Sequence, residues 1–506
     1  MKRVLIANRG EIAVRIVRAC RELGLSPIAV YSAADRAALH VRLADDARLL
    51  GPSAPLESYL AIDRVLAAAR ASGADAVHPG YGFLAENEAF AAAVRDAGLT
   101  FIGPAPAAIA LMGSKTAARA AAVRAGVPIV PGTAEPIPDG ASDAELLAVA
   151  GGVGYPLLVK AVAGGGGKGM RTVTRAADLL AAVRDARSEA GAAFGDRAIY
   201  LERRLARPRH VEVQLLADQH GTVLPFVERE CSIQRRHQKV LEETPSPAVR
   251  APLRAAVATA AAAIARDVGY TNAGTIEFLV EEGGGFHFLE MNTRLQVEHP
   301  ITELVSGVDL VQWQIRIARG DRLDLDPARL LRAEGHAIEC RVYAEDPDDG
   351  FLPSPGRISS LRAPSGPGIR DDSGATAGMS VPVEYDPLVS KLSAWAPDRP
   401  SAIARMRRAL SEYIVGGIKT TIPFFEWLLA DAEFLAGRVH TTYLDEVLAA
   451  RDGRPFSEPD PALEQVAAIA AVLAPAVLRR AGGAAAAAPG GSASTWRSTA
   501  RREGLR

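Results

Sequence analysis

The clearest chemical signal in the sequence is a pair of acidic residues on two neighbouring predicted strands. Glu277 lies in the apolar run GTIEFLV, and Glu290 and Asn292 share one face of the alternating run FHFLEMN. The intervening EEGGG favours a hairpin turn, which places the two acids opposite each other with Cβ atoms about 4.5–5.5 Å apart. Such carboxylates repel unless a cation neutralises them, and with an Asn oxygen nearby they suit Mg²⁺ and the nucleotide phosphates it binds. The alternative is a pair of solvated acids.

A glycine-rich run, GGGGKG at 164–169, predicts a phosphate-binding hairpin tip. It passes from one predicted strand, 157–161, into another, 170–173, whereas dinucleotide and P-loop motifs pass from a strand into a helix. Glycine lets backbone N–H groups approach phosphate oxygens closely, and Lys160 and Lys168 add positive charge. We expect a mobile lid over a nucleotide; the alternative is a flexible surface turn.

The segment 228–243, ERECSIQRRHQKVLEE, combines a basic centre with acidic flanks. As a helix it would be an ordinary charged face. The Cys-Ser-Ile-Gln stretch argues against an amphipathic helix, so we expect a loop whose Gln, His and Lys side chains meet an anion such as phosphate or bicarbonate.

Composition bounds the class of protein. The chain has 506 residues, 48% of them hydrophobic, and a net charge of −1, which predicts about three globular domains and no nucleic-acid or membrane partner. Cys20, Cys231 and Cys340 are isolated and form neither a metal-binding spacing nor a disulfide framework, as expected in a reducing cytoplasm. The N-terminal apolar run is too short for a signal peptide.

The order of predicted elements favours an α/β and α+β multidomain fold. Strands and helices alternate over the first hundred residues, which predicts a parallel sheet covered by helices. The Pro- and Gly-rich segment 127–140 marks a boundary, and a region with many strands follows to about residue 450. An Ala-rich helix is expected at 461–480, and then a low-complexity, basic end that is either a solvated tail or a docking segment for a partner.

Eight segments together closely resemble biotin carboxylase, an ATP-grasp enzyme family, over about residues 1–447. They occur in the family's order: IANRGEIAVRI (6–16), HPGYGFLAEN (78–87), LMGSK (111–115), GGGGKGMR (164–171), HVEVQLLAD (210–218), ERECSIQRRHQKVLEE (228–243), EMNTRLQVEHP (290–300) and ECRVYAEDP (339–347).

The resemblance implies a reaction in which ATP and bicarbonate give carboxyphosphate and ADP, after which the carboxyl passes to N1′ of biotin. It also implies a parallel α/β domain (1–113), an ATP-grasp domain (114–334) with a glycine-rich lid (131–203), a β-rich C-terminal domain (335–450) and an Ala-rich, low-complexity tail (451–506). The cofactors would be ATP, Mg²⁺ or Mn²⁺, and biotin carried on a partner.

By resemblance, each site residue has an expected role. The ATP-binding residues would be Lys115, Lys160, Gly164, Gly165, Gly166, Gly167, Met170, Glu202, Arg203, Leu205, His210, Gln234, His237, Glu277 and Glu290. The metal ligands would be Glu277, Glu290 and Asn292. Bicarbonate and biotin would be bound by Lys239, Arg294, Gln296, Val297 and Arg341. The catalytic group would comprise Arg294, Lys239, Glu298 as general base and Arg341 as stabiliser of the biotin enolate.

Elementary chemistry supports three of these roles. Arg294 offers a planar, bidentate donor to a small anion. If the stretch after it is extended, Glu298 points to the same side as Gln296, within reach of the anion's proton. A fixed cation such as Arg341 lowers the barrier to charging the ureido oxygen. Without the resemblance, Arg341 would be an ordinary ion-pair partner of Glu339 or Glu345.

The chain has no lysine flanked directly by two methionines, which is the biotin attachment signal of the family's carrier domains. We therefore expect a separate biotin carboxyl carrier protein and a carboxyltransferase subunit as partners, as in a multi-subunit acyl-CoA carboxylase. Arg15 and Arg18 fall where the family forms a homodimer. Two alternatives are an ATP-grasp ligase acting on another carboxylate and a non-catalytic assembly subunit; bicarbonate-dependent ATP hydrolysis discriminates among the three.

Overall fold

The computed structural model describes residues 1–162, 170–457, 462 and 465–473. The chain divides into one large unit, Met1–Arg454, and a second unit, Pro455–Arg506. In the second unit, residues 462 and 465–473 are helical, and the rest of the helix expected at 461–480 lies outside the described residues.

The large unit begins with a parallel sheet in the order β3-β2-β1-β4-β5. Val4, Leu5 and Ile6 in its central strand are fully buried, as expected for a strand with helices on both faces. The expected parallel α/β domain is confirmed, although the strand β3 at its edge was not anticipated. The elements are β1 Arg3–Ile6, α1 Gly10–Glu22, β2 Ser26–Ser32, α2 Leu39–Leu43, β3 Asp46–Gly51, α3 Ile62–Ser72, β4 Ala76–His78, α4 Glu88–Asp96, β5 Thr100–Phe101, α5 Pro106–Gly113 and α6 Lys115–Arg124.

A small antiparallel sheet, β7-β6-β8, follows with two helices packed on it. Its elements are α7 Asp143–Val153, β6 Leu157–Ala161, β7 Arg171–Val173, α8 Leu179–Phe194 and β8 Ile199–Arg203. The glycine-rich run therefore connects two antiparallel strands, as the sequence indicated. Gly164–Gly167 and Lys168 themselves lie outside the described residues.

The largest sheet has nine strands in the order β14-β13-β9-β11-β12-β15-β22-β20, with β10 paired to β9. The first part of this region contains β9 Arg209–Ala217, β10 Val223–Pro225, β11 Arg229–Arg235, β12 Gln238–Thr244, α9 Ala251–Asp267, β13 Asn272–Val280, β14 Phe286–Asn292, α10 His299–Ser306, α11 Leu310–Arg319 and α12 Pro327–Leu330. Strands β12 and β15 pair directly, so the sheet is continuous across the domain boundary expected at residue 334.

The remaining elements complete the large unit. They are β15 His336–Tyr343, β16 Glu345–Asp346, β17 Leu352–Pro353, β18 Gly356–Arg357, β19 Ser360–Arg362, β20 Ile369–Ser373, β21 Ser380–Val381, β22 Leu388–Ala396, α13 Arg399–Glu412, β23 Ile414–Gly416, α14 Ile422–Leu428, α15 Ala432–Leu435 and α16 Tyr443–Arg451. The short strands form three separate two-stranded pairs, which gives the expected β-rich C-terminal region. Among the residues that the structure describes, no helix is both long and apolar enough to cross a membrane.

The basic segment 228–243 forms a hairpin, so the expectation of a loop was wrong. Strands β11 and β12 pair antiparallel, and only Arg236 and His237 turn, with φ of 51° and 64°. Positive φ at both central residues is typical of the tight turn that matches strand twist, where Asn-Gly is the usual pair. The residues of VLEE are all buried in β12, where Glu242 and Glu243 are paired with arginines from β15 and α13. The sheet also brings Lys239 into the interior, with a side chain that is 12% exposed.

Candidate active site

The two acids that face each other on β13 and β14 form the floor of the site. Glu277 and Glu290 are direct antiparallel partners, which confirms the expected register. The Glu277 carboxylate lies 2.9 Å from Nε2 of His210 and 2.7 Å from Nζ of Lys239, and it accepts a 2.8 Å hydrogen bond from Asn292. Burial alone would raise the pKa of Glu277, but the charges of Lys239 and His210 outweigh it and hold that pKa well below its usual range.

The pKa of Glu290 is shifted in the opposite direction. Its carboxylate has no hydrogen bond or ion pair with any described residue, and burial together with the charge of Glu277 raises its pKa. A cation beside Glu290 would relieve both effects, and two carboxylates are hard oxygen ligands of the kind Mg²⁺ prefers. The residues therefore fit a divalent metal. His210 and Glu212 offer further ligand atoms, because theirs and one of Glu277 lie within 4.8 Å of one another.

Lys239 contacts three acidic side chains of the site. Its ammonium contacts the carboxylates of Glu212, Glu277 and Glu298, at 2.5, 2.7 and 2.7 Å. Burial favours the neutral amine, but these surrounding acids hold the pKa of Lys239 well above its usual range. Since β12 carries Lys239 and β9 and β13 carry two of the acids, the sheet itself brings these groups together.

Glu298 lies between two cations. One carboxylate oxygen meets Lys239, and the other accepts a 2.9 Å hydrogen bond from Arg341. Burial works to raise the pKa of Glu298, but Lys239 and Arg341 lower it well below its usual range, so the group is ionised. Arg341 also bonds Glu242, at 2.7 Å, and not Glu339 or Glu345, the partners that an isolated reading of the sequence suggested.

The segment that carries Arg294, Gln296 and Glu298 is not extended. Glu298 has φ −81° and ψ 14° at the N-terminus of α10, so its place beside Lys239 comes from this turn and not from strand alternation. Arg294 donates to Gln296 at 3.0 Å and to Asn292 at 3.2 Å, while its Nε bonds Glu86 at 2.8 Å. The guanidinium fork thus faces the same centre as the acids.

The expected nucleotide residues form a second cluster next to the acids. Lys160 and Arg119 both pair with the buried carboxylate of Glu202, the latter at 2.6 Å, and Lys115 donates to the Ala161 carbonyl at 3.3 Å. Gln234 contacts His210 at 2.9 Å. Leu205 is buried, whereas His237 and Arg203 are exposed and Met170 is half-buried just before β7.

Several residues of the site were not anticipated. Glu212 follows His210 by two positions on β9, and this same-face alternation could have identified it. Arg229 is fully buried and bonds both Glu212 and Thr302, the latter at 2.7 Å. Glu86 and Glu242 have no comparable local signal, because their partners are distant in sequence.

A cavity of about 440 Å³ opens beside these groups. It is bounded by the first parallel domain through Arg9 and Tyr81, by the segment after β14 through Arg294 and Val297, and by the large sheet through Arg341. An anion at Lys239 and Glu298 would therefore be next to a chamber large enough for a small bicyclic ligand.

The comparisons with known proteins agree with this arrangement. Three family descriptions match: "Biotin carboxylase, N-terminal domain" at residues 1–109, "Carbamoyl-phosphate synthase L chain, ATP binding domain" at 114–326 and "Biotin carboxylase C-terminal domain" at 339–446. The fold and the opposed-acid hairpin define an ATP-dependent ligase of the ATP-grasp class.

Curated relatives and solved structures narrow the class to a family. The biotin carboxylase of Nostoc sp. is 51% identical over 88% of this chain and 99% of its own length, and the biotin carboxylase of Pseudomonas aeruginosa is 49% identical over 88% and 99%. The biotin carboxylase domain dimer of Hydrogenobacter thermophilus 2-oxoglutarate carboxylase, in complex with MgADP, ADP and bicarbonate, is 44% identical with a TM-score of 0.86 over 91% of this chain and 99% of that one. The chain belongs to the biotin carboxylase family.

Proposed function

We propose that this protein carboxylates biotin on a separate carrier protein, using ATP and bicarbonate. A bicarbonate oxygen attacks the γ-phosphorus of ATP, the bond to the ADP oxygen breaks, and carboxyphosphate forms. The carboxyl group then passes to N1′ of biotin as the N1′ proton and phosphate leave. The observation that carries the proposal is the position of Glu298 between Lys239 and Arg341, at the end of the acidic hairpin and beside the cavity.

The chain's own residues account for binding of the nucleotide. Lys115, Lys160, His210 and the glycine-rich run would contact the phosphates, and the backbone of 202–205 would hold the adenine. A divalent cation held by Glu277, Glu290 and Asn292 would neutralise phosphate charge. Gln234 would keep His210 oriented towards the phosphates through the 2.9 Å contact between them.

Arg294, Gln296, Lys239 and the Val297 backbone would bind bicarbonate, and Glu298 would accept its proton. Glu298 is ionised, as a base must be, but its two cationic neighbours make it a weak base. When bicarbonate shares Lys239, the pKa of Glu298 rises towards the range in which proton transfer is effective. The site therefore strengthens its base when the substrate arrives.

Arg341 would stabilise negative charge on the ureido oxygen of biotin. Its guanidinium is held by Glu298 and Glu242, so it is fixed before biotin enters. A preorganised cation stabilises developing charge without reorganisation at the moment of reaction. Burial, opposed by the charge of Arg341, raises the pKa of Glu242 to about 7.

The proposal includes three partners. Biotin would be carried by a biotin carboxyl carrier protein, and a carboxyltransferase subunit would select the final acceptor, as in an acyl-CoA carboxylase. A homodimer would form through helix α1, which carries Arg18 and Glu22 at its surface and Arg15 buried beneath them; all three line a second cavity with Arg370. The three free, buried cysteines are compatible with a cytoplasmic location.

The test is ATP hydrolysis by the purified chain with and without bicarbonate, and with and without free biotin. We expect hydrolysis to require bicarbonate and to increase when biotin is added. ATP turnover that ignores bicarbonate would refute the proposal in favour of another ATP-grasp ligase, and the absence of turnover would favour an assembly subunit.

A further inference from the structure

Lys391 is a buried cation that the proposed reaction has not so far used. It lies on β22 with a side chain that is 0% exposed. Its Nζ donates a 2.9 Å hydrogen bond to the Val297 carbonyl and lies 3.2 Å from the Glu11 carboxylate. The centre of the Tyr81 ring is 5.4 Å away. Glu11, Tyr81 and Val297 all line the cavity beside Glu298, so Lys391 lies directly behind the wall of the site.

Stability alone does not account for this lysine. A buried ion pair gains little over apolar side chains of similar volume, because desolvation offsets the attraction. Both Glu11 oxygens lack a hydrogen-bond partner among the described residues, and burial, opposed by the charge of Lys391, raises the pKa of Glu11 to about 7. Glu11 is therefore only partly ionised near neutral pH and makes no directed bond. The directed bond of Lys391 is the one to the Val297 carbonyl.

The peptide on the other side of Val297 is held as well. Nδ1 of His299 lies 2.8 Å from the Gln296 carbonyl, and because a carbonyl only accepts, Nδ1 is the donor. Burial, reinforced by the charge of Lys391, keeps the pKa of His299 well below its usual range, so the ring is neutral. His299, like Lys391, is fully buried.

These two bonds determine where the N–H groups of Val297 and Glu298 point. In a planar trans peptide the C=O and N–H point in opposite directions, so fixing a carbonyl fixes the N–H of the next residue. No described residue accepts a hydrogen bond from either N–H, and Val297 lines the cavity. Two adjacent N–H groups of this kind beside Arg294 are suited to an oxyanion.

We propose that Lys391, together with His299, is a positioning residue that fixes the two Val297 peptides for bicarbonate binding. The inference rests on the proposed function and deepens it: Lys391 does not touch the substrate but orients the backbone that does. Loss of Lys391 would let the Val297–Glu298 peptide rotate, which would misalign an anion donor and the base together.

The test compares Lys391→Met, which keeps the length of the side chain and removes its charge and donors, with the wild-type protein. We expect the KM for bicarbonate to rise by about tenfold or more, since a lost charge-assisted bond is the cause, while the dissociation constant of ATP stays within about twofold. Lys391→Arg keeps the charge and should show a smaller defect. Lys419→Met, at an exposed lysine paired with Asp346, is the matched control and should match the wild type.

The double variant Lys391→Met with Glu11→Gln separates positioning from folding. Glu11→Gln removes the buried carboxylate that Lys391→Met leaves without its cation, so the double variant should recover thermal stability and keep the high KM for bicarbonate. A normal KM in the double variant, or equal losses of ATP and bicarbonate binding in the single one, would overturn the inference. Wild-type protein without bicarbonate-dependent turnover would refute the proposed function, and with it this inference.

Discussion

The charge of Glu298 depends on two neighbours that come from different strands. Lys239 on β12 and Arg341 on β15 each bond one of its oxygens, and both favour the carboxylate over the acid. Arg294 faces the same centre from the segment after β14. At the scale of single residues, Glu212, Glu277 and Glu298 each pair with a cation that a substrate anion can share, whereas Glu290 has no such partner among the described residues.

Glu298→Gln removes the proton acceptor and keeps the shape of the side chain. We expect bicarbonate-dependent ATP turnover to fall by about 10²–10⁴-fold, the usual contribution of a general base, while ATP binding is retained. Steady-state turnover and nucleotide titration measure the two effects. Glu345→Gln, whose side chain pairs with Arg235 at 2.9 Å, is the control and should be active. Unchanged turnover in Glu298→Gln would remove the assignment of the base.

Arg294→Lys keeps the positive charge but removes the planar guanidinium and its paired N–H donors. Because a lysine cannot bond Glu86, Asn292 and Gln296 in one plane and also present two donors to bicarbonate, we expect the KM for bicarbonate to rise about tenfold. The dissociation constant of ATP should not change. Arg329→Lys, at an exposed arginine paired with Glu334, is the control. An equal effect on ATP would show that Arg294 supports the fold and not the anion.

The elements that carry the site are hairpins of one sheet. The β13–β14 hairpin presents the opposed acids, the β11–β12 hairpin presents Lys239, and β9 between them supplies His210 and Glu212. The nucleotide side depends on a different contact. Gly132, in the segment leading into the small sheet, forms an isolated bridge to Glu202 on β8.

Gly132→Ala tests that contact. An added Cβ would lie 2.3 Å from the Leu201 carbonyl oxygen, and a backbone atom cannot move aside as a flexible side chain can. We expect the segment to shift off β8, the unfolding free energy to fall by about 1–3 kcal/mol, and ATP to bind more weakly. Denaturant unfolding and nucleotide titration measure these effects. Gly140→Ala, where nothing lies within 4 Å, is the matched control. Normal stability and ATP affinity in Gly132→Ala would contradict the argument.

At the scale of the whole molecule, the site lies where the first parallel domain meets a sheet of nine strands. Glu86 from the first domain bonds Arg294, and Glu11 pairs with Lys391 of the large sheet. The first domain therefore forms one wall of the site, so the site is intact only while that domain is folded. His78, fully buried at the end of β4, accepts a 3.0 Å hydrogen bond from the Gly80 N–H at Nδ1, which requires the neutral ring.

This histidine predicts a pH dependence of stability. Burial lowers the pKa of His78 to about 3, below its usual 6.5, so between these values the unfolded chain binds a proton that the folded protein does not. Above about pH 6.5 both states leave His78 neutral and the free energy of unfolding is not reduced. As the pH falls below this value the free energy of unfolding decreases, by about 2 kcal/mol between pH 7 and pH 5. Urea unfolding at both pH values measures it. His78→Gln should show a smaller decrease than the wild type; an equal decrease would assign the effect to other groups.

The sequence by itself determined the class of fold, the family and the opposed acids of the hairpin. Strand alternation and a glycine turn are local signals, and they predict a hairpin with the two acids roughly opposite each other. The exact pairing of Glu277 with Glu290 also needs a bulge next to Glu277, because the register at the turn alone would pair Glu277 with Leu289. Only the tertiary structure decided that Lys239 contacts three acids, that Arg341 bonds Glu242 and Glu298, and that Lys391 holds Val297. Those partners are far apart in the chain, and which of many equivalent charges meet depends on how strands β9 to β22 order themselves in the sheet, which no local periodicity encodes.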